Sequence, residues 1–160
     1  MTGQIPDLVE YNGIEYTLVG YKGKKLFSPL DYDMKPKMSS TACRRGFVVK
    51  YSCNNDSLIV EKLEINVEEA REINGVKGIR IKGEPYGFQY CYENLNLEIP
   101  FSGKLLIATD FIKEMYKHMG FQQAMAFKKV FELNFKEGKL ISTKDISSEM
   151  EKKRKKNKST

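Results

Sequence analysis

Histidine is nearly missing from this 160-residue chain: His118 is the only one. There is no tryptophan, and the three cysteines, Cys43, Cys53 and Cys91, are scattered. A lone histidine without closely spaced cysteines leaves no zinc-ligand spacing, so no metal site is expected. An odd, dispersed cysteine set is no disulfide framework and points to a reduced, cytoplasmic setting. No apolar run approaches the roughly 18 residues that a membrane-spanning helix needs. The opening MTGQIPDLVEY has no basic stretch followed by an apolar run, so no signal peptide is expected. Phosphate-binding glycine loops, HExxH, GxSxG and calcium loops are lacking too, and no cofactor is expected.

Bulk and charge are present in quantity. Nine Tyr and nine Phe supply packing volume, and 41% apolar with 30% charged residues is the composition of one ordinary globular core. The net charge of +6 is local: the last nine residues, KKRKKNKST, carry six of the 27 basic residues and no acid, leaving 21 basic against 21 acidic residues elsewhere. Nucleic-acid contact is therefore expected only through the tail, Lys152 to Lys158. The other reading of the tail is a solubilising, mobile end.

The chain is punctuated by hairpin signals. DLVEYNGIEYTL turns on Asn12-Gly13, where both residues must accept φ > 0. RGFVVKYSCNNDSLIVEKLEI turns on Asn54-Asn55-Asp56, and FELNFKEGKLIST on Glu137-Gly138. IRI at 79–81 and LEIPFSGKLLIAT at 97–109 read as further strand pieces, with Pro100 demoting the first part of the latter to an edge. In YGFQYCY the alternation places Tyr86, Phe88, Tyr90 and Tyr92 on one side of a strand. Three helices are expected. One runs from an Asn66 cap, with Glu69 completing a capping box, to a stop at Gly75. One spans Asp110 to Gly120. A short terminal helix is capped at Ser148. These signals predict a mainly β fold, with α+β as the alternative. It is a single antiparallel sheet-rich domain, barrel- or sandwich-like, with one or two short helices, covering 1–146 and followed by a basic C-terminal tail at 147–160.

Candidate site residues follow from chemistry. DFIKEMYKHMG fits the helical period, with Phe111, Ile112, Met115, Tyr116 and Met119 on one stripe. His118 then falls in the last turn at the margin of that stripe, near exposed carbonyls and within reach of Glu114. As a catalytic group, His118 with Tyr116 would need a nucleophile or orienting acid from another segment. Arg44 and Arg45 are a conspicuous pair in a chain with five arginines, and a guanidinium can fork onto a carboxylate or phosphate. Tyr86, Tyr90 and Tyr92 are either core or the lining of a ligand pocket.

The chain also resembles a family of small bacterial proteins. The segments that carry the resemblance are Ile5-Pro6-Asp7 with Tyr11-Asn12-Gly13 and Tyr16; Cys43 with Arg45-Gly46-Phe47; Tyr92 with Asn94-Leu95-Asn96; Phe101-Ser102-Gly103; Asp110-Phe111-Ile112; Tyr116 with His118-Met119-Gly120-Phe121; and Glu132-Leu133, Phe135 and Gly138-Lys139-Leu140. The resemblance covers most of the body and not the tail. It implies a bacterial cytoplasmic origin and brings no activity, cofactor or catalytic residue. Three functions are weighed: a non-enzymatic binding module for a protein or small ligand, including an immunity-like role; a small enzyme using His118; and nucleic-acid contact through the tail.

Overall fold

Three two-residue turns fix the register of most of the sheet. In the computed structural model, which describes residues 3–158, strands β1 (Leu8–Tyr11) and β2 (Ile14–Gly23) flank Asn12 and Gly13, at φ 52° and 75°. Strands β3 (Phe47–Asn54) and β4 (Ser57–Ile65) flank Asn55 and Asp56, at φ 48° and 61°. Three short strands follow, β5 (Ile79–Arg80), β6 (Tyr90–Tyr92) and β7 (Leu97–Glu98), and then the long β8 (Gly103–Phe111). The last hairpin joins β9 (Phe127–Lys136) to β10 (Lys139–Asp145) through Glu137 and Gly138, at φ 49° and 82°. Left-handed φ at both central residues is what the right-handed strand twist requires of such turns.

The strands form one mixed sheet in the order β10-β9-β8-β2-β1-β3-β4-β6-β5, with β7 also on β4. A further pairing of β10 with β4, Lys139 opposite Ser57, closes seven of them into a barrel. Around a closed ring of seven strands the directions cannot alternate throughout, so one parallel neighbour pair is obligatory. It is β1 with β3, and the other six pairings are antiparallel. At the seam Leu140 N donates to Asp56 O (2.7 Å) and Leu58 N to Gly138 O (2.8 Å), so two hairpin turns meet there. That meeting is a consequence of strand tilt and stagger accumulated around the ring.

Alternation fills the interior. Val9, Val49, Tyr51, Leu63, Leu105, Ile107, Leu133 and Phe135 point inward and are fully or almost fully buried. One end is plugged by the irregular stretch after β2, whose Leu26, Phe27 and Met34 join the same core. A second apolar cluster lies outside the barrel. Ala108 and Val130 on β8 and β9 pack with Ala126, Phe127, Ile146 and Met150. The last two belong to, or immediately precede, the single α-helix of the described residues, α1 (Ser147–Lys158). The basic run therefore continues a docked helix. Among the described residues no helix is long and apolar enough to cross a membrane.

Two expected helices are not formed. Asn66 does not cap: its Nδ2 donates to the carbonyls of Lys37 and Met38, both at 3.2 Å. Val67 and Ile73 are buried from a segment without helix or strand, which ends in a tight turn at Asn74-Gly75 (φ 48° and 76°). Nor does Asp110 start a helix. Strand β8 runs through it to Phe111, opposite Phe127, and Ile112 N donates to Ala126 O (2.8 Å). Only a 3-10 turn at Lys113–Met115 follows. The sheet ladder supplies the backbone bonds that a short helix would have had to supply without a partner for its apolar stripe. The expected strand over 86–92 shrinks to β6 because Gly87, at φ 80°, bends the chain and Glu84 Oε2 accepts from the amides of Tyr86 (2.8 Å) and Phe88 (2.9 Å).

Candidate functional site

Four of the five exposed Phe and Tyr side chains among the described residues converge on one cleft; the fifth, Tyr21, lies elsewhere against Phe101. Phe111 ends β8 and packs at a 58° tilt against Phe127, which opens β9, with ring centroids 5.3 Å apart. Tyr116 meets Phe111 edge to face at 6.5 Å. Phe121 comes from the loop after the 3-10 turn, and Tyr86 from the bend before β6. These rings line a hollow of about 360 Å³ with Leu18, Ile5 and Pro6. Phe111, Tyr86, Phe121 and Tyr116 remain 38%, 45%, 49% and 53% exposed, so the barrel itself leaves them available.

Amides hold the walls. The segment at residues 3–6 is one side: Gln4 N donates to Gly120 O (2.8 Å), and the Gln4 side chain donates to Thr41 O (2.8 Å) while accepting from Arg44 N (2.9 Å). The loop opposite is closed by Gln122, whose Oε1 accepts from Lys117 N and whose Nε2 donates to Lys117 O, both at 2.8 Å. That side chain imitates a peptide group in a β-bridge. The polar groups facing the cleft are phenol hydroxyls, Thr17 and the two glutamine amides, with no ionised side chain among the lining residues. Such a lining suits an apolar or planar group; the Arg45 guanidinium, 5.9 Å from the Phe121 ring, is already paired with Asp7.

The expected site residues divide. Tyr86 and Tyr116 line the cleft. His118 stands exposed on the Lys117–Gln122 loop, 6.3 Å from the Tyr116 ring and outside the lining, not in a helix turn. Among the described residues no hydrogen bond or ion pair engages its imidazole. Arg45 serves the fold: its guanidinium forks onto Asp7, whose Oδ1 also accepts from Val49 N (2.8 Å), and lies 4.5 Å above the Phe47 ring. Arg44 is exposed beside Gln4. Tyr90 is half-buried under Arg80, whose charge lies 5.9 Å from its ring. Tyr92 is wholly buried, its hydroxyl donating to Arg71 O, and burial raises its pKa. The arginine pair and the tyrosine row thus do not form one site.

Sequence reasoning missed the contributions of Phe121, Phe127, Gln4 and Gln122. The usable signal was the density of aromatics in DFIKEMYKHMGF, which a strand-to-loop reading would have left exposed. Burial raises the pKa of Cys53 and Cys91, which lowers their thiolate fraction, and buried Cys43 donates through Sγ to Phe47 O at 3.6 Å. At the barrel seam Lys139 Nζ donates to Ser57 Oγ beside Glu137 and Glu98. Among the described residues no group of three or more His, Cys, Asp or Glu side chains is placed to hold a metal ion. Compared with family models, curated proteins and solved structures, the chain matches none.

Proposed function

We propose that the protein is a non-enzymatic binding module whose cleft takes up an apolar or aromatic group presented by a protein partner or a small ligand. The observation that carries this reading is the convergence of four exposed rings, from Tyr86, Phe111, Tyr116 and Phe121, around one hollow. Its volume of about 360 Å³ falls in the roughly 300–1,000 Å³ span of ligand pockets. Exposed apolar clusters of this kind mark interaction sites, and rigid aromatics are the usual anchors of binding energy. A protein partner includes an immunity-like role, in which binding neutralises that partner. A bacterial cytoplasmic setting goes with this reading through the motif resemblance.

The test pairs a thermal-shift ligand screen with a pull-down from the source cell. At least one is expected to return a binder, and Tyr116→Ala or Phe121→Ala should weaken it at least tenfold, with the unfolding midpoint little changed because both side chains are half exposed. Binding indifferent to both substitutions, or no binder in either arm, overturns the reading.

A further inference from the structure

A second surface, separate from the cleft, carries the net charge. Between residues 147 and 156 helix α1 holds Lys152, Lys153, Arg154, Lys155 and Lys156 against Glu149 and Glu151. Its inner side is committed to the barrel. Met150 is buried with Ile146 in the outer apolar cluster, Ser147 Oγ accepts from Val130 N (3.0 Å), and the Arg154 guanidinium donates to the carbonyls of Met125 (2.9 Å) and Phe127 (2.8 Å). Both acids are occupied: Glu149 pairs with Lys144 and Glu151 with Lys155, each at 3.3 Å. Lys152 and Lys153 face solvent with no ion pair among the described residues. Lys128 of β9, also exposed, joins Lys155 and Arg154 along a groove between the helix and the 112–115 turn, where Glu114 is the other acid.

We infer that the outer side of helix α1, where the helical period groups Lys152, Lys155 and Lys156 opposite buried Met150, forms with Lys128 a fixed basic face that binds the phosphate backbone of a nucleic-acid duplex without reading its sequence. The body outside the last nine residues is neutral, so the field is concentrated on this face. Lysines act as compact point charges, which suits a dense row of phosphates, whereas individually placed carboxylates favour the arginine fork. An anionic membrane is disfavoured because the helix's apolar residues are already packed against the barrel, leaving no apolar face to enter lipid.

The experiment measures anisotropy of a fluorescent 20-base-pair duplex with the full chain across a salt series. Four basic contacts predict a slope of log affinity on log salt of about −3 to −4, at about −0.9 per phosphate for duplex DNA. The Lys128→Gln/Lys152→Gln/Lys156→Gln variant should flatten the slope by about 2 to 3 and lower low-salt affinity at least tenfold. It leaves Arg154, which anchors the helix, in place. A Lys22→Gln/Lys24→Gln/Lys82→Gln control removes the same charge from exposed positions elsewhere and should bind as the parent does. Tyr116→Ala should also bind the duplex unchanged, separating this surface from the cleft. Four results overturn the inference: no binding at low salt, an equal loss in the control, tighter binding to phosphatidylglycerol vesicles, or equally tight binding to polyglutamate.

Discussion

Asp7 joins three parts of the fold through one carboxylate. It receives the Arg45 fork and the Val49 amide, and its side chain is only 10% exposed. Asp7→Ala would leave a guanidinium with its Nε already buried and unpartnered, so a loss of about 2 to 3 kcal/mol is expected in urea unfolding. Arg45 is a third exposed, which holds the value below that of a fully buried pair. The buried tyrosines set a pH limit. Burial raises the pKa of Tyr51, Tyr92 and Tyr16, so the folded state keeps these phenols neutral where the unfolded chain would ionise. Their contribution to stability is complete below the ordinary phenol value of about 10 and declines as pH rises above it. Urea midpoints from pH 8 to 11 should fall on the alkaline side, and Tyr51→Phe should make that fall shallower. Arg45 and Tyr92 were legible in the sequence as residues that bind something. That Asp7 and the Arg71 carbonyl are what they bind was not, since both partners lie far along the chain.

Helix α1 is held by few groups, each with a separate task. Met150 fills the small outer cluster, and Met150→Ala should lower stability by about 2 kcal/mol, the low end for a core methionine because the cluster is shallow. Arg154→Ala should instead loosen the second half of the helix, seen as faster amide exchange over residues 151–156 with little change near Ser147. The terminal helix was readable from its acid-to-base order, but not from the expected cap: it starts at Ser147, so Ser148 lies inside it, and Asp145 Oδ1 accepts from Ser147 N (2.9 Å). The two absent helices mislead for a common reason. A capping residue and an apolar stripe describe what a segment could do in isolation, and both segments found better hydrogen bonds elsewhere: Asn66 on the Lys37 and Met38 carbonyls, Phe111 on β9 and Ile112 on Ala126 just before it. The hairpins were legible because their turns are local, with Asn-Gly, Asn-Asp and Glu-Gly supplying the left-handed residues directly.

Closure of the barrel depends on contacts distant in sequence, such as Thr17 with Ala108 and Ser57 with Lys139. Nothing in a local pattern announces the β10–β4 pairing, so the sequence allows a sandwich as readily as a barrel. At the seam Gly138 has φ 82°, and a Cβ there would stand 2.4 Å from Ile99 O. Gly138→Ala is expected to lower stability by more than about 2 kcal/mol, combining left-handed strain with backbone displacement. Chemical denaturation of the intact protein would measure this. The same non-local topology predicts folding in milliseconds to seconds, to be read by stopped-flow fluorescence of tyrosine.

The Gln122 clasp bears on how far the cleft can be trusted across conditions. A disulfide in its place would open in a reducing compartment, and an ion pair would loosen with salt or acid. A carboxamide neither titrates nor exchanges electrons, and its two bonds to Lys117 are the kind a backbone makes to itself. The clasp itself should therefore hold whether the surroundings are acidic or neutral, reducing or oxidising. This wall of the aromatic cleft then has no switch in its own fastening, and a change in that fastening would have to come from whatever binds there.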